Sequence, residues 1–362
     1  ATRVNKEGLI EVVTNDRPRI DYTDTSDGVL LLEKAATNLI TYSEAFDNAY
    51  WTKSGSSVTS GFASPDGGLN AFKLVEDTST AQHEISRTIT GTGNTASVYA
   101  KYIDTQYLAI LTAAGSWNFF DIQNGVLGTI NSAASVPTIT ALVNGWYRLT
   151  IKEPHASVFK IALSHDGATA SYTGDGTSGV YIYGAQLEAG NASSYIPTQG
   201  SASTRVAETA SDSGNSEVFN DSEGVLFVDT ATLQEGVTEK IISLSDGTTS
   251  NNIYFSFSGA ANTIFGLVVS GGSTQASLST TVSQIQPNKL LIKYKSNDIS
   301  FWLNGFKVGF DTSANTPSGL KNLSFSYPTN AINFYGKTKE IGYYDTILTD
   351  LELETLTSYK SW

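Results

Sequence analysis

The chain has 362 residues, a formal net charge of −13, 40% hydrophobic and only 16% charged residues, and no cysteine. These values exclude disulfides, thiolate metal centres and a thiol nucleophile, and they leave no basic cluster to neutralise a nucleic-acid backbone or an anionic membrane. Length predicts two domains, and low charge combined with 32 Gly, 18 Tyr and 16 Phe predicts a turn-rich all-β protein rather than a disordered one.

Residues 1–40 read as an extended lead-in packed on the first domain. "NDRPRIDYTDTSDG" is loop chemistry, and "VLLLE" after it is a short strand. No apolar run reaches the roughly 18 residues that span a bilayer, so no membrane insertion is expected. The chain has no Met; either an initiator was removed ahead of Ala1 or a longer protein continues upstream.

Residues 41–190 read as short strands: "AFKLVED", "HEISRTIT", "TASVYAKYI", "YLAILTAA", "NFFDI", "VLGTI", "WYRLTIK", "VFKIALS" and "GVYIYGAQLE" are each bounded by turn residues. Asn-Gly in "QNGV" and "VNGW" is the usual type I′ hairpin pair. Without intervening amphipathic helices, such spacing predicts an antiparallel sandwich or jelly roll. In "GVYIYG", Val180 and Ile182 fall on one face and Tyr181 and Tyr183 on the other; we assign the aliphatics to the core and the tyrosines to the sheet's outer face. Residues 191–221 hold no long apolar pattern and read as a linker or strap.

Strands resume over 222–362. "ISFWL" and "FKVGF" flank Asn304-Gly305, a two-residue hairpin. "LTDLELETLTSYK" is the one short helix, at the C-terminus, with Thr349 and Glu352 spaced as a capping box. The fold class is therefore two tandem antiparallel β-sandwiches and one short helix.

Catalytic motifs are missing. His83, His155 and His165 show no metal spacing, and no nucleophile elbow, phosphate loop or paired-carboxylate strand pattern of the E-x-D-x-x-E kind occurs; no enzyme is expected. The loops "DTSDG", "SPDGG" and "TGDGTSG" leave room for a structural Ca²⁺ as well as for plain turns, and no other cofactor is expected. Flat rings remain, each able to stack on the C–H face of a sugar. Tyr107, Trp117, Tyr181, Tyr183 and Trp302 are the glycan-binding candidates, each weighed against a simpler role in filling a core.

"ATRVNKEGLIEVVTNDRPRIDYTDTSDGVLLLEKAATNLITYSEAFDNAYWTKSGSSVT", "SVYAKY", "NGWYRLTIK" and "GDGTSGVYIYGAQLEAGNASSYIPTQGSASTRVAE" resemble a family of bacteriophage virion appendage proteins, the tail fibres, head fibres and neck appendages, over residues 1–210. The resemblance implies a carbohydrate-binding-module-like jelly roll, structural roles for Gln186 and Glu188, and further chain before Ala1. "EGVLFVD", "KLLIKYKSNDISFWLNGFKVG" and "KEIGYYDTILTDLELETL" resemble the concanavalin/laminin-G-like sandwiches of such fibres. Together they imply a virion-surface protein that engages host-surface polysaccharide and other virion proteins, with a trimer favoured. A secreted polysaccharide-binding or polysaccharide-degrading bacterial protein, and a purely architectural capsid decoration or spacer, are the alternatives.

Overall fold

The computed structural model describes residues 1–89, 92–111, 117–131, 135–155, 158–236, 238–260 and 262–358. The chain forms two compact units: residues 1–17 with 35–206, and residues 18–34 with 207–362.

The first unit is a sandwich of two antiparallel six-stranded sheets. One runs in the order Val126–Ile130, Asn118–Asp121, Tyr107–Leu111, Val158–Ser164, Glu84–Thr88, Thr52–Ser54; the other Val136–Ala141, Trp146–His155, Thr92–Tyr102, Gly179–Ala189, Ala71–Glu76, Ser56–Phe62. Their inner faces share one core that includes Val98, Ile110, Phe120, Ile161, Val180, Ile182 and Leu187. Two-residue periodicity alone would turn Ala185 and Leu187 outward, since Val180 and Ile182 point in. Opposite Ser97–Tyr99 the register shifts, and Gly184 adopts φ +61°, which a Cβ would disfavour. That bulge returns the apolar positions to the core and turns Gln186 and Glu188 outward.

The outward pair then ties down the following strap. Gln186 Oε1 accepts from Ile196 N at 2.7 Å, its amide nitrogen donates to Glu188 at 2.6 Å, and Glu188 accepts from Ser193 N at 2.8 Å and from Ser193 Oγ at 2.5 Å. Asn38, fully buried, holds the strap from the other side by donating to the Ile196 carbonyl at 2.8 Å. Structural roles for Gln186 and Glu188 are thus visible in the bonds themselves.

The second unit pairs a seven-stranded sheet with a five-stranded one. The larger runs Phe306–Asp311, Ile299–Leu303, Asn288–Lys295, Glu223–Thr232, Gly336–Tyr344, Val29–Leu32, Ile20–Asp21. The smaller runs Ser273–Thr281, Thr263–Ser270, Asn252–Phe257, Lys240–Ser245, Asn322–Ser324. Asn304 (φ 48°) and Gly305 (φ 89°) make the expected tight hairpin, and helix Asp350–Thr357 carries the full Thr349/Glu352 capping box.

Three expectations need correction. The lead-in is not one body on the first domain: Val29–Leu32 pairs with Gly336–Tyr344, so residues 18–34 complete the second unit's sheet. A buried cluster anchors the crossing, in which Arg19 donates from Nε to Glu208 at 2.5 Å and through a terminal nitrogen to Glu33 at 2.7 Å. The Asn124-Gly125 pair does not form a two-residue turn either. Asp121 accepts from Gly125 N while pairing with Val126, so the connection is longer and only Gly125 is left-handed. The 191–221 segment also contains a strand, Ser203–Arg205, paired with Ala36–Asn38.

Candidate functional site

The first sandwich carries an open cleft of about 620 Å³, lined by Glu44, Ala45, Ser60, Gly61, Leu69, Asn70, Phe72, Pro197, Thr198 and Gln199. Its walls come from separate segments. Ser60 and Gly61 sit where the edge strand Ser56–Phe62 shifts register, with Gly61 at φ +100° and open space where a Cβ would stand. Leu69 and Asn70 precede strand Ala71–Glu76, and Leu69 is 73% exposed. The strap supplies the third wall. Thr198 N donates to Ser43 Oγ at 2.8 Å, and Thr198 Oγ1 donates to the Ile40 carbonyl at 2.6 Å.

The floor is a fixed carboxylate. Glu44 Oε1 accepts from the Tyr183 hydroxyl at 3.0 Å and the Tyr195 hydroxyl at 2.9 Å, and Oε2 meets the Asn70 amide at 3.3 Å. Behind it, Asp66 lies 3.1 Å from the same Tyr183 hydroxyl and accepts from Gly68 N at 3.0 Å and Ser64 Oγ at 2.5 Å. Burial opposes the charge on Asp66, but bonds from Ser64, Gly68, Tyr183 and Asn70 outweigh it and hold the carboxyl below the usual carboxylate range. Burial, followed by the charges of Glu44 and Asp66, pushes the Tyr183 phenol far up; burial and Glu44 do the same to Tyr195. Both phenols therefore stay protonated and act as donors. The result is an anionic, hydrogen-bonding floor beside the apolar surfaces of Leu69, Ala45 and Pro197.

The five ring candidates do not gather here. Tyr183 and Tyr181 do share the outer face, and Val180 and Ile182 the core. Yet Tyr183 is only 2% exposed, enclosed by Tyr99, Tyr195, Ile10 and Trp146, so its ring offers no open face and only its hydroxyl reaches the cleft carboxylate. Tyr181 is half-buried against Phe62, with ring centroids 4.7 Å apart. Tyr107 and Trp117 lie on the outer face of the other sheet, separated by Ala109, Phe119 and Ala162, which Ala170 helps to cover. Trp117 is half-buried on that cluster; Gly115 and Ser116 before it lie outside the described residues. Trp302 is 4% exposed and sits under the C-terminal helix with Leu353, its indole donating to Ser300 Oγ at 3.0 Å.

The acidic loops are engaged in turn chemistry. Asp175 accepts from Thr177 N at 2.6 Å and Ser178 N at 2.7 Å, and Asp27 pairs with Lys339 at 3.0 Å. Among the described residues no group of three or more His, Asp or Glu is arranged to hold a metal ion. His83 is buried between the Gly55 and Tyr172 carbonyls, and His165 meets Glu76 at 3.0 Å; the side chain of His155 lies outside the described residues. Glu44, Asn70, Thr198 and Gln199 escaped sequence reading because no spacing links them. Two of their segments, "LITYSEAFDNAYW" and "SSYIPTQG", fall within the stretches that carry the resemblance, but nothing in either singles out these residues.

No protein-family model matches the sequence, and no curated protein matches it. Among solved structures, the carbohydrate-binding module CBM40 of Ruminococcus gnavus IT-sialidase is similar at 15% identity, over 41% of this chain and 94% of that one, with a TM-score of 0.35. Sheep galectin-11 is similar at 11% identity, over 38% of this chain and 99% of that one (TM-score 0.27). Domains LG4-5 of the mouse laminin alpha1 chain are similar at 9% identity over 95% of this chain and 96% of that one, with a TM-score of 0.28. The chain is an all-β protein of antiparallel sheets, and its solved neighbours are carbohydrate-binding-module, lectin-like and laminin-G sandwiches.

Proposed function

We propose that this chain is a non-catalytic, glycan-binding part of a bacteriophage virion appendage, displayed on the particle surface and engaging host-surface polysaccharide through the first sandwich. The observation that carries the binding reading is the cleft, where a fixed carboxylate, an amide from Asn70 and the exposed Gln199 stand beside the exposed Leu69. Saccharides present this same alternation of hydroxyls and C–H faces, and convergent polar groups in an apolar-walled cleft are the usual form of a small-ligand site. The virion placement rests on the resemblance of residues 1–210 to phage appendage proteins. A trimeric assembly with other virion proteins belongs to the same reading.

The test is binding of wild type and Gln199→Ala to purified host-surface polysaccharides by calorimetry or surface plasmon resonance. Binding that drops severalfold in the variant, with no new reducing ends after long incubation, is expected. Glycan-independent adsorption of the chain to cells would overturn the reading. One arrangement favours a hydrolase instead: Glu44 and Asp66 both bond the Tyr183 hydroxyl, at 3.0 and 3.1 Å, so a pair of carboxylates, the residue type that glycosidases use, stands at the cleft. Release of reducing ends, abolished by Glu44→Gln, would establish that second reading.

A further inference from the structure

We infer that the cleft selects neutral or amine-bearing saccharides and rejects those carrying carboxylate, sulfate or phosphate. The inference rests on the glycan-binding reading of the cleft and narrows its ligand class. Its basis is the sign of the fixed charge. Glu44 lines the cleft, Asp66 stands directly behind it, and the lining contains no Lys, Arg or His. Three protein donors orient Glu44: the Tyr183 and Tyr195 hydroxyls on one oxygen, and the Asn70 amide on the other at a longer 3.3 Å. A carboxylate offers about four lone-pair positions, so acceptor capacity remains for a ligand's hydroxyl or ammonium group.

The remaining polar groups are uncharged. Ser60 and Gln199 are exposed and can donate or accept, which suits vicinal hydroxyls, and among the lining residues no cation is present to fork around an acidic substituent. An acid group seated about 5 Å from Glu44 would meet like-charge repulsion amounting to a loss on the order of a hundredfold in affinity at an effective dielectric near 20. An ammonium at the same place gains by the same argument and becomes sensitive to salt. Leu69, 73% exposed, provides the apolar contact for the sugar's C–H face. The cleft has no exposed ring to add stacking, because Phe72, its one aromatic lining residue, is buried.

The experiment is a glycan array carrying neutral, amino and acidic bacterial saccharides, probed with wild type, Glu44→Gln and Gln199→Lys. The expected result is binding confined to neutral and amino glycans, weakened at least tenfold by Glu44→Gln. Amino-glycan binding should also fall in 0.5 M NaCl. Gln199 is exposed, so Gln199→Lys keeps the fold and should admit acidic glycans even where Glu44→Gln loosens the strap. Wild-type binding to sialylated or uronic-acid glycans would overturn the inference and leave the glycan reading standing. Binding to no glycan at all would overturn both.

Discussion

Replacing Arg19 with alanine should cost the second unit far more than an ordinary charge deletion. The Arg19 side chain is 1% exposed, and its partners Glu33 and Glu208 are 6% and 20% exposed. The guanidinium bridges the two carboxylates, Glu33 N donates to Glu208 at 2.9 Å, and Glu208 N donates to the Glu33 carbonyl at 2.9 Å. An exposed pair of this kind would contribute at most about 1 kcal/mol. Here, removing the cation leaves two carboxylates facing each other in a largely buried site, and breaking buried pairs costs about 3–5 kcal/mol. For a unit of roughly 170 residues that corresponds to a Tm fall of about 6–20 °C. Differential scanning calorimetry of the full chain reads it directly, and trypsin cleavage at Arg17 and Lys34 should quicken in step. Replacing Arg19, Glu33 and Glu208 together by Met and Leu should recover most of the loss, since an apolar cluster demands no counter-charge. A loss below 1 kcal/mol in Arg19→Ala would refute the reasoning.

Three further outcomes are expected. Trp302→Ala should destabilise the second unit by about 3–5 kcal/mol in urea titrations, through the cavity left under the helix, and leave glycan affinity unchanged. Gly184→Val should cost about 2–5 kcal/mol, because its left-handed φ is disfavoured and its Cβ would stand 3.0 Å from Tyr99 and 3.1 Å from Tyr195; an unchanged urea midpoint would contradict the bulge account. Asp166, held down to about 2 chiefly by bonds from Thr169 N and Ala168 N, should show that value by NMR titration. Its folded pKa lies below the ordinary carboxyl range, so it contributes stability above about 4 that is lost as pH falls through about 2.

Much of the fold is legible in local chemistry. Asn304-Gly305 between alternating strands, and Thr349 three residues before Glu352, specify their turn and cap without tertiary help. Polar edge strands are not legible: Ser56–Phe62, Val136–Ala141 and Ser273–Thr281 bury too few side chains to write an apolar alternation. The partner of "VLLLE" is equally hidden, because a short aliphatic strand suits either sheet until Arg19 finds Glu208. Ranking rings could not find the cleft, since a ring that fills a core and a ring that lines a surface look alike in sequence. Tyr183 shows the difficulty: the residue matters to the cleft, but through its hydroxyl on Glu44 and not through its face.

The pairing of Leu32 with Gly336 has a consequence for how the molecule is made. On the ribosome, residues 18–34 emerge early and then wait while about three hundred more are added, which takes roughly 15–60 s at ordinary elongation rates. During that interval the first sandwich can close around its own chain, while an aliphatic segment with no strand to join must be kept from pairing with neighbouring nascent chains. Neither body can be cut out as one uninterrupted stretch of sequence. A recombination event that exchanges only the C-terminal half would hand the newcomer a foreign strand, so swaps of specificity in this architecture should preserve both the early segment and its late partner.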